Sequence, residues 1–203
     1  MNLGIVACDI LKPEIEFLTK GDPDFTEREY LEFALHEYPK DMKNKILETV
    51  GKMEDKVDGV LIGYAICQSL EGITNEIKVP AVMLPGADCI DALLTTDEYN
   101  KEKKICPGTW FVSPGWAEEG KNGIIKELHL DAVEGYPPEF FLDILFASYE
   151  RTLFIDTGIG NEEEYRKKSE SLAKELKLTH SCRKCNLDQF RDAIKELKDK
   201  VQQ

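Results

Sequence analysis

Two stretches decide the fold: Gly59-Val60-Leu61-Ile62-Gly63-Tyr64-Ala65-Ile66-Cys67 and Val79-Pro80-Ala81-Val82-Met83-Leu84-Pro85-Gly86-Ala87-Asp88-Cys89. Each is an apolar run of strand length that closes on a cysteine. A continuous apolar run, without polar alternation, reads as a strand buried on both faces, as in a parallel sheet. Strands are expected over 58–66 and 79–86, with a short helix over 68–74 between them. Asp88 is placed as the N-cap of a helix from Cys89 to Leu94.

The pattern repeats outward. Residues 3–11 read as a first strand, interrupted by Cys8 and Asp9 near its end, and Pro13 suits the first turn of a helix over 13–19. A turn at Gly21-Asp22-Pro23-Asp24 leads to an ambiguous segment over 28–35, read as a strand. A helix over 40–55 carries Met42, Ile46, Val50 and Met53 inward. Residues 95–105 read as charged and exposed. Thr109-Trp110-Phe111-Val112 reads as a strand, and 117–136 as helix then loop.

Pro137-Pro138 opens a helix whose Phe140, Phe141, Ile144, Leu145 and Phe146 are all expected to bury. A strand over 151–158 precedes a helix whose first turn holds Glu162, Glu163 and Glu164, as the helix dipole favours. Leu178-Thr179-His180 reads as an edge strand. Asn186 or Asp188 is expected to cap a final helix with Phe190, Ile194 and Leu197 inward. Alternating strands and helices imply an α/β fold: a mainly parallel sheet with helices on both faces, three layers, Rossmann-like or flavodoxin-like. Residues 1–203 are expected to form one domain, or two lobes sharing a sheet with a break near 117–136.

Bulk properties narrow the function. The 203 residues carry a net charge of −13. That surface repels phosphate backbones and anionic lipids, so nucleic acid is not an expected partner. No apolar run approaches a membrane span. The chain enters its first strand without a basic leader, so a signal peptide is not expected and a cytoplasmic location is. There, six cysteines are expected as thiols or metal ligands rather than disulfides.

Sites in open parallel sheets lie beyond the carboxyl ends of the strands. Cys8, Cys67, Cys89, Ser113 and Asp156 all fall at such ends, and converge if their strands are neighbours. A thiol at a helix N-terminus is biased toward thiolate, the form that attacks and that binds soft metals. Cys8, Cys67 and Cys89, with His36, could therefore hold zinc or an iron–sulfur cluster. Three buried cysteines acting as small hydrophobes are the plainer account. A second, weaker metal candidate is His180-Ser181-Cys182-Arg183-Lys184-Cys185, a Cys-x-x-Cys half-motif whose Arg183 and Lys184 would favour thiolate.

Tyr64, Gln68, Asp88, Trp110, Trp116 and Asp156 are the candidate cofactor-lining residues. For each a structural role competes: a cap for Asp88, a turn for Asp156, core for the tryptophans. Asp9 and Glu14 are candidate bases or ligands. No glycine-rich dinucleotide motif, phosphate loop or Gly-x-Ser-x-Gly elbow occurs, so no nucleotide cofactor is expected. The Asp-x-His-x-x-Gly signature of a corrinoid carrier is also absent.

The ordered fragments resemble those of the family catalogued as domain of unknown function 1638. They are Ala7-Cys8-Asp9 with Leu11 and Glu14, Leu35-His36 with Pro39, Gly63-Tyr64-Ala65-Ile66-Cys67, Asp88-Cys89-Ile90 with Leu93-Leu94, Gly108-Thr109-Trp110, Gly115-Trp116 and Asp156-Thr157-Gly158. Two departures stand out. Glycines usually flank the middle cysteine, where this chain has Ala65 and Gln68. A histidine usually precedes the Asp-Cys pair, where this chain has Ala87. If that histidine is a ligand in relatives, this chain binds differently or not at all. The resemblance implies no established activity. It implies a setting in anaerobes, methanogens included, beside corrinoid methyltransferase systems. A corrinoid-linked ligand, a one-carbon role, and a methyltransferase or corrinoid protein as partner follow from it as expectations.

Three readings result. The first is an accessory or binding protein with a thiolate pocket for a metal, a cluster or a metal-containing cofactor. The second is a thiol-dependent transferase with Cys67 as the catalytic nucleophile. The third is an acidic protein-interaction module whose cysteines are only packed.

Overall fold

A computed structural model describes residues 1–203 except 34, 36, 37, 68 and 134. The strands lie in two sheets, each wholly parallel and each the centre of its own compact unit. The first unit is Met1–Thr96 with Leu187–Gln203, and the second is Asp97–Asn186.

In the first unit, β1 (Leu3–Cys8) leads through a 3-10 turn (Asp9–Leu11) into α1 (Lys12–Thr19). Next come β2 (Phe25–Leu31), α2 (Pro39–Gly51) and β3 (Gly59–Gly63). A 3-10 turn (Ile73–Glu76), β4 (Ala81–Met83) and α3 (Cys89–Leu94) complete this first pass. The strand order is β2-β1-β3-β4. It matches the start of the flavodoxin-like order, whose topological switch point lies between β1 and β3.

Alternation sorts the side chains by face. Val6 on β1 and Val60 and Ile62 on β3 pack with Met42, Ile46 and Val50 of α2 in one buried cluster. On the other face two positions of β3 have room only for glycine. A Cβ at Gly63 would meet Ile15 of α1, and one at Gly59 would meet Leu197 and Val201 of the C-terminal helix, α8 (Asp188–Val201). Helices on both faces of a parallel sheet give the three layers read from the sequence.

The second unit opens within α4 (Thr96–Ile105), a segment expected only as exposed charge. Then come β5 (Thr109–Val112), α5 (Pro114–Glu127) and α6 (Pro138–Phe146). The unit ends with β6 (Arg151–Asp156), α7 (Glu162–Glu175) and β7 (Thr179–Lys184), in the sheet order β5-β6-β7. Tyr99 of α4 meets Phe111 edge-on at 5.0 Å. Buried Glu102 of α4 accepts from Arg151 at 2.7 Å and pairs with Arg183, joining the helix to two strands. α5 and α7 pack on the opposite face, where Trp110 meets Trp116 and His180 meets Ser169.

Several boundaries differ from expectation. β1 stops at Cys8, and β2 begins at Phe25 rather than residue 28. β7 extends to Lys184, so it carries Cys182. Leu187, in a left-handed conformation, sits at the N-cap of α8 in place of Asn186 or Asp188. On α6, Leu142 and Phe146 bury, but Phe140 and Ile144 remain exposed. Among the described residues no helix is long and apolar enough to cross a membrane.

Candidate functional site

β1, β3 and β4 are hydrogen-bonded neighbours, so Cys8, Cys67 and Cys89 leave adjacent positions on one carboxyl rim. Ser113 and Asp156 belong to the other sheet. The five strand-end residues therefore do not share a single rim.

Cys8 ends β1, half-buried, with its Sγ 4.0 Å from Asp9 Oδ1. Glu14, in the first turn of α1, is fully buried. The chain leaves β3 through Tyr64, which is only 4% exposed. Its hydroxyl has no hydrogen-bond partner among the described residues. Burial pushes that hydroxyl well above the usual tyrosine range, and the charges of Cys8, Asp9 and Cys67 push the same way. Cys8 and Cys67 also pack against the buried cluster that holds Tyr64.

Ile66 is exposed beyond it. Cys67 then adopts a φ of 41°, a left-handed conformation that non-glycine residues rarely hold. Backbone bonds fix it there. Ile66 N donates to Gly86 O at 3.1 Å and Cys67 N to Ala87 O at 2.9 Å, tying the β3 loop to the β4 loop. Strain of this kind is a reason to look for function.

The Cys67 thiol is pushed up to about 11, chiefly by burial and then by the charge of Asp88, against a backbone hydrogen bond at Ala65. The argument from the helix dipole thus does not apply to Cys67. It sits in a turn, the nearest short helix begins at Ile73, and burial keeps the sulfur protonated at neutral pH.

The β4 loop is committed to its own helix. Asp88 Oδ1 accepts from Ile90 N and Asp91 N, both at 2.9 Å, as the N-cap reading required. Asp91 Oδ2 reaches back to Ala87 N at 2.7 Å. Cys89 opens α3 and is half-buried. His36 and Gln68, the other candidates on this side, lie outside the described residues.

The second candidate sits on an edge strand. His180 and Cys182 are two residues apart on β7 and share a face. His180 Nε2 lies 3.1 Å from Ser169 Oγ, and burial lowers the affinity of the ring for a proton. Cys185 lies just past the strand, its N bonded to Asp156 O. Arg183 does not serve the thiols: it pairs with Glu98 and Glu102 of α4. Cys182 is instead pushed up, first by burial and then by Asp156.

The remaining candidates pack or bond within the chain, although Trp110 Nε1 is buried without a hydrogen-bond partner among the described residues. Trp110 packs edge-on against Trp116, Phe146 and Tyr149 at 6.0, 5.2 and 6.0 Å. Asp156 Oδ1 accepts from Gly158 N at 3.1 Å, an Asx turn closing the loop after β6.

Among the described residues no three His, Cys, Asp or Glu side chains are grouped to hold a metal ion. What the first rim does offer is two sulfurs, Cys8 and Cys67, packed against the cluster that buries the Tyr64 hydroxyl, which has no partner among the described residues. The sequence alone named Tyr64 but gave no sign that its hydroxyl would be buried without a partner.

A family model described as "Protein of unknown function (DUF1638)" matches residues 30–194, most of the chain. No curated protein and no solved structure matches it.

Proposed function

We propose that this chain, which belongs to the DUF1638 family of proteins of unknown function, is a binding or accessory protein. Its ligand would sit at the carboxyl rim of the first sheet, between β1 and β3. The observation that carries this reading is the Tyr64 hydroxyl, buried and without a partner among the described residues, in the cluster against which Cys8 and Cys67 pack. An unmade hydrogen bond in a native interior costs about 1–3 kcal/mol, so a group that makes it on binding recovers that amount. A topological switch point is also where ligands of such sheets lie.

The donor set favours a soft partner. A metal-containing ligand that brings its own coordination sphere needs only one or two protein sulfurs. Cys8 and Cys67 would supply them, with Tyr64 giving a hydrogen bond. The corrinoid setting implied by the family resemblance makes a cobalt corrinoid the first ligand to try.

The test is anaerobic purification with metal analysis and an absorbance spectrum, then titration with hydroxocobalamin. Wild type is expected to hold or take up about one equivalent, and a Cys8→Ser/Cys67→Ser variant is expected to lose it. Wild type that binds neither metal nor corrinoid, or binding unchanged in the variant, overturns the reading.

A further inference from the structure

α6 is apolar on two opposite sides. Residues two apart on a helix point about 200° from each other. Leu142 and Phe146 form the inward stripe, while Phe140 and Ile144 form an outward one. Tyr136 stacks on Phe140 at 4.8 Å and extends the outward stripe, and Phe141 braces both rings at 6.2 and 5.4 Å. Tyr136 is 59% exposed, Phe140 44% and Ile144 60%. A helix with apolar residues all round is normally buried, and a contiguous apolar patch on a charged surface marks a contact site.

Charge identifies what would cover it. Between residues 130 and 150 the sequence has five carboxylates and no lysine or arginine. Beside the stripe is a cavity of about 150 Å³, floored by Leu142 and Leu176 and edged by Glu139, Asp143, Glu175 and Lys121. Lys121 pairs with Glu139, and exposed Lys177 with Asp143. Three carboxylates against these two lysines leave the cavity edge acidic by one charge. Its apolar floor suits the methylenes of a long basic side chain, and its rim suits the charged head.

We propose that the outward face of α6 docks a basic, amphipathic segment of another protein. The partner's apolar side chains would cover Tyr136, Phe140 and Ile144, and a lysine or arginine would enter the cavity beside Leu142. The contact joins an apolar centre to a charged rim, the usual anatomy of a protein interface.

The experiment uses the full chain and two synthetic amphipathic peptides, one of leucine and lysine and one of leucine and glutamate. Binding is read by fluorescence anisotropy. The lysine peptide is expected to bind and the glutamate peptide not. Affinity should fall about ten-fold or more in Phe140→Asp/Ile144→Asp, as at an interface centre. It should fall several-fold in Asp143→Asn/Glu175→Gln, whose residues are at the surface, and with added salt. Glu163→Gln/Glu196→Gln, which removes two acids from α7 and α8, should change little.

Equal binding of the two peptides, or binding of neither, overturns the proposal. So does binding indifferent to Phe140 and Ile144, which would be charge attraction alone. A wild-type dimer that Ile144→Asp makes monomeric would also overturn it, because the occupant would then be a second copy.

Discussion

At the carboxyl rim of the second sheet, the polar groups are engaged by the chain itself. Ser113 Oγ accepts from Trp116 N at the start of α5, and Asp156 closes its turn through Gly158 N. At the rim of the first sheet, Asp88 is engaged in the same way. Tyr64 and Cys67 differ: one is a buried hydroxyl with no partner among the described residues, the other a cysteine held at positive φ. Both rims have the strand–loop–helix geometry that hosts ligands, so topology does not separate them. What does is whether the polar groups at the strand ends are already satisfied, although on the second sheet Trp110 Nε1 is likewise buried without a partner among the described residues.

The largest expected effect tests the second unit, whose polar groups are structural in this comparison. Glu102 joins Arg151 and Arg183 from a buried position. Glu102→Ala should lower stability by about 3 kcal/mol in urea unfolding, the low end for breaking a buried pair because both guanidinium groups keep some solvent. A loss within the noise of a surface substitution would break the comparison on that side.

Next in size is the reactivity of Cys67. A thiol pushed from 9.0 up to about 11 has about 100-fold less thiolate at neutral pH than an unfolded cysteine. Alkylation of Cys67 by iodoacetamide, followed by peptide mass spectrometry, should be slower by about that factor. The linkage has a sign. The folded state holds this proton more tightly, so the contribution is complete below the unfolded value near 9.0 and is lost as pH rises through about 11. Fast labelling at neutral pH would restore the transferase reading, with Cys67 as its nucleophile.

The strands beside the first rim were legible because β3 and β4 are apolar throughout. Asp88 was legible because a cap is local chemistry. α4 was not: Thr96 to Ile105 has no apolar stripe, and it is held by Tyr99 on Phe111 and by Glu102 on two arginines from distant strands. The division into two sheets was hidden for a similar reason. Parallel strands of both sheets look alike in sequence, and pairing is decided by contacts far along the chain. For α6, composition showed apolar residues on both sides but could not say which stripe lacks a neighbour. The strain at Cys67 was equally silent, since no glycine marks the turn.

A smaller effect separates satisfied from unsatisfied groups directly. Ser113→Ala removes the N-cap of α5 and should cost about 1 kcal/mol. The result should be the same with or without any ligand of the first rim, because that hydroxyl already has its partner.

Tyr64→Phe gives the smallest expected change in stability and the sharpest test. Deleting a bonded tyrosine hydroxyl normally destabilises, because the donor or acceptor left behind loses its partner. Here no described partner is left behind. The apolar ring keeps its place in the buried cluster that also holds Val60, Ile62 and Leu70, and the desolvated oxygen is gone. Stability should therefore be unchanged or rise by about 1 kcal/mol, while affinity for a ligand at this rim falls. A variant that is clearly less stable would mean that the hydroxyl is satisfied in solution, by water or by a residue outside those described. The first rim would then be as complete in itself as the second, and the case for a bound molecule there would lose its central observation.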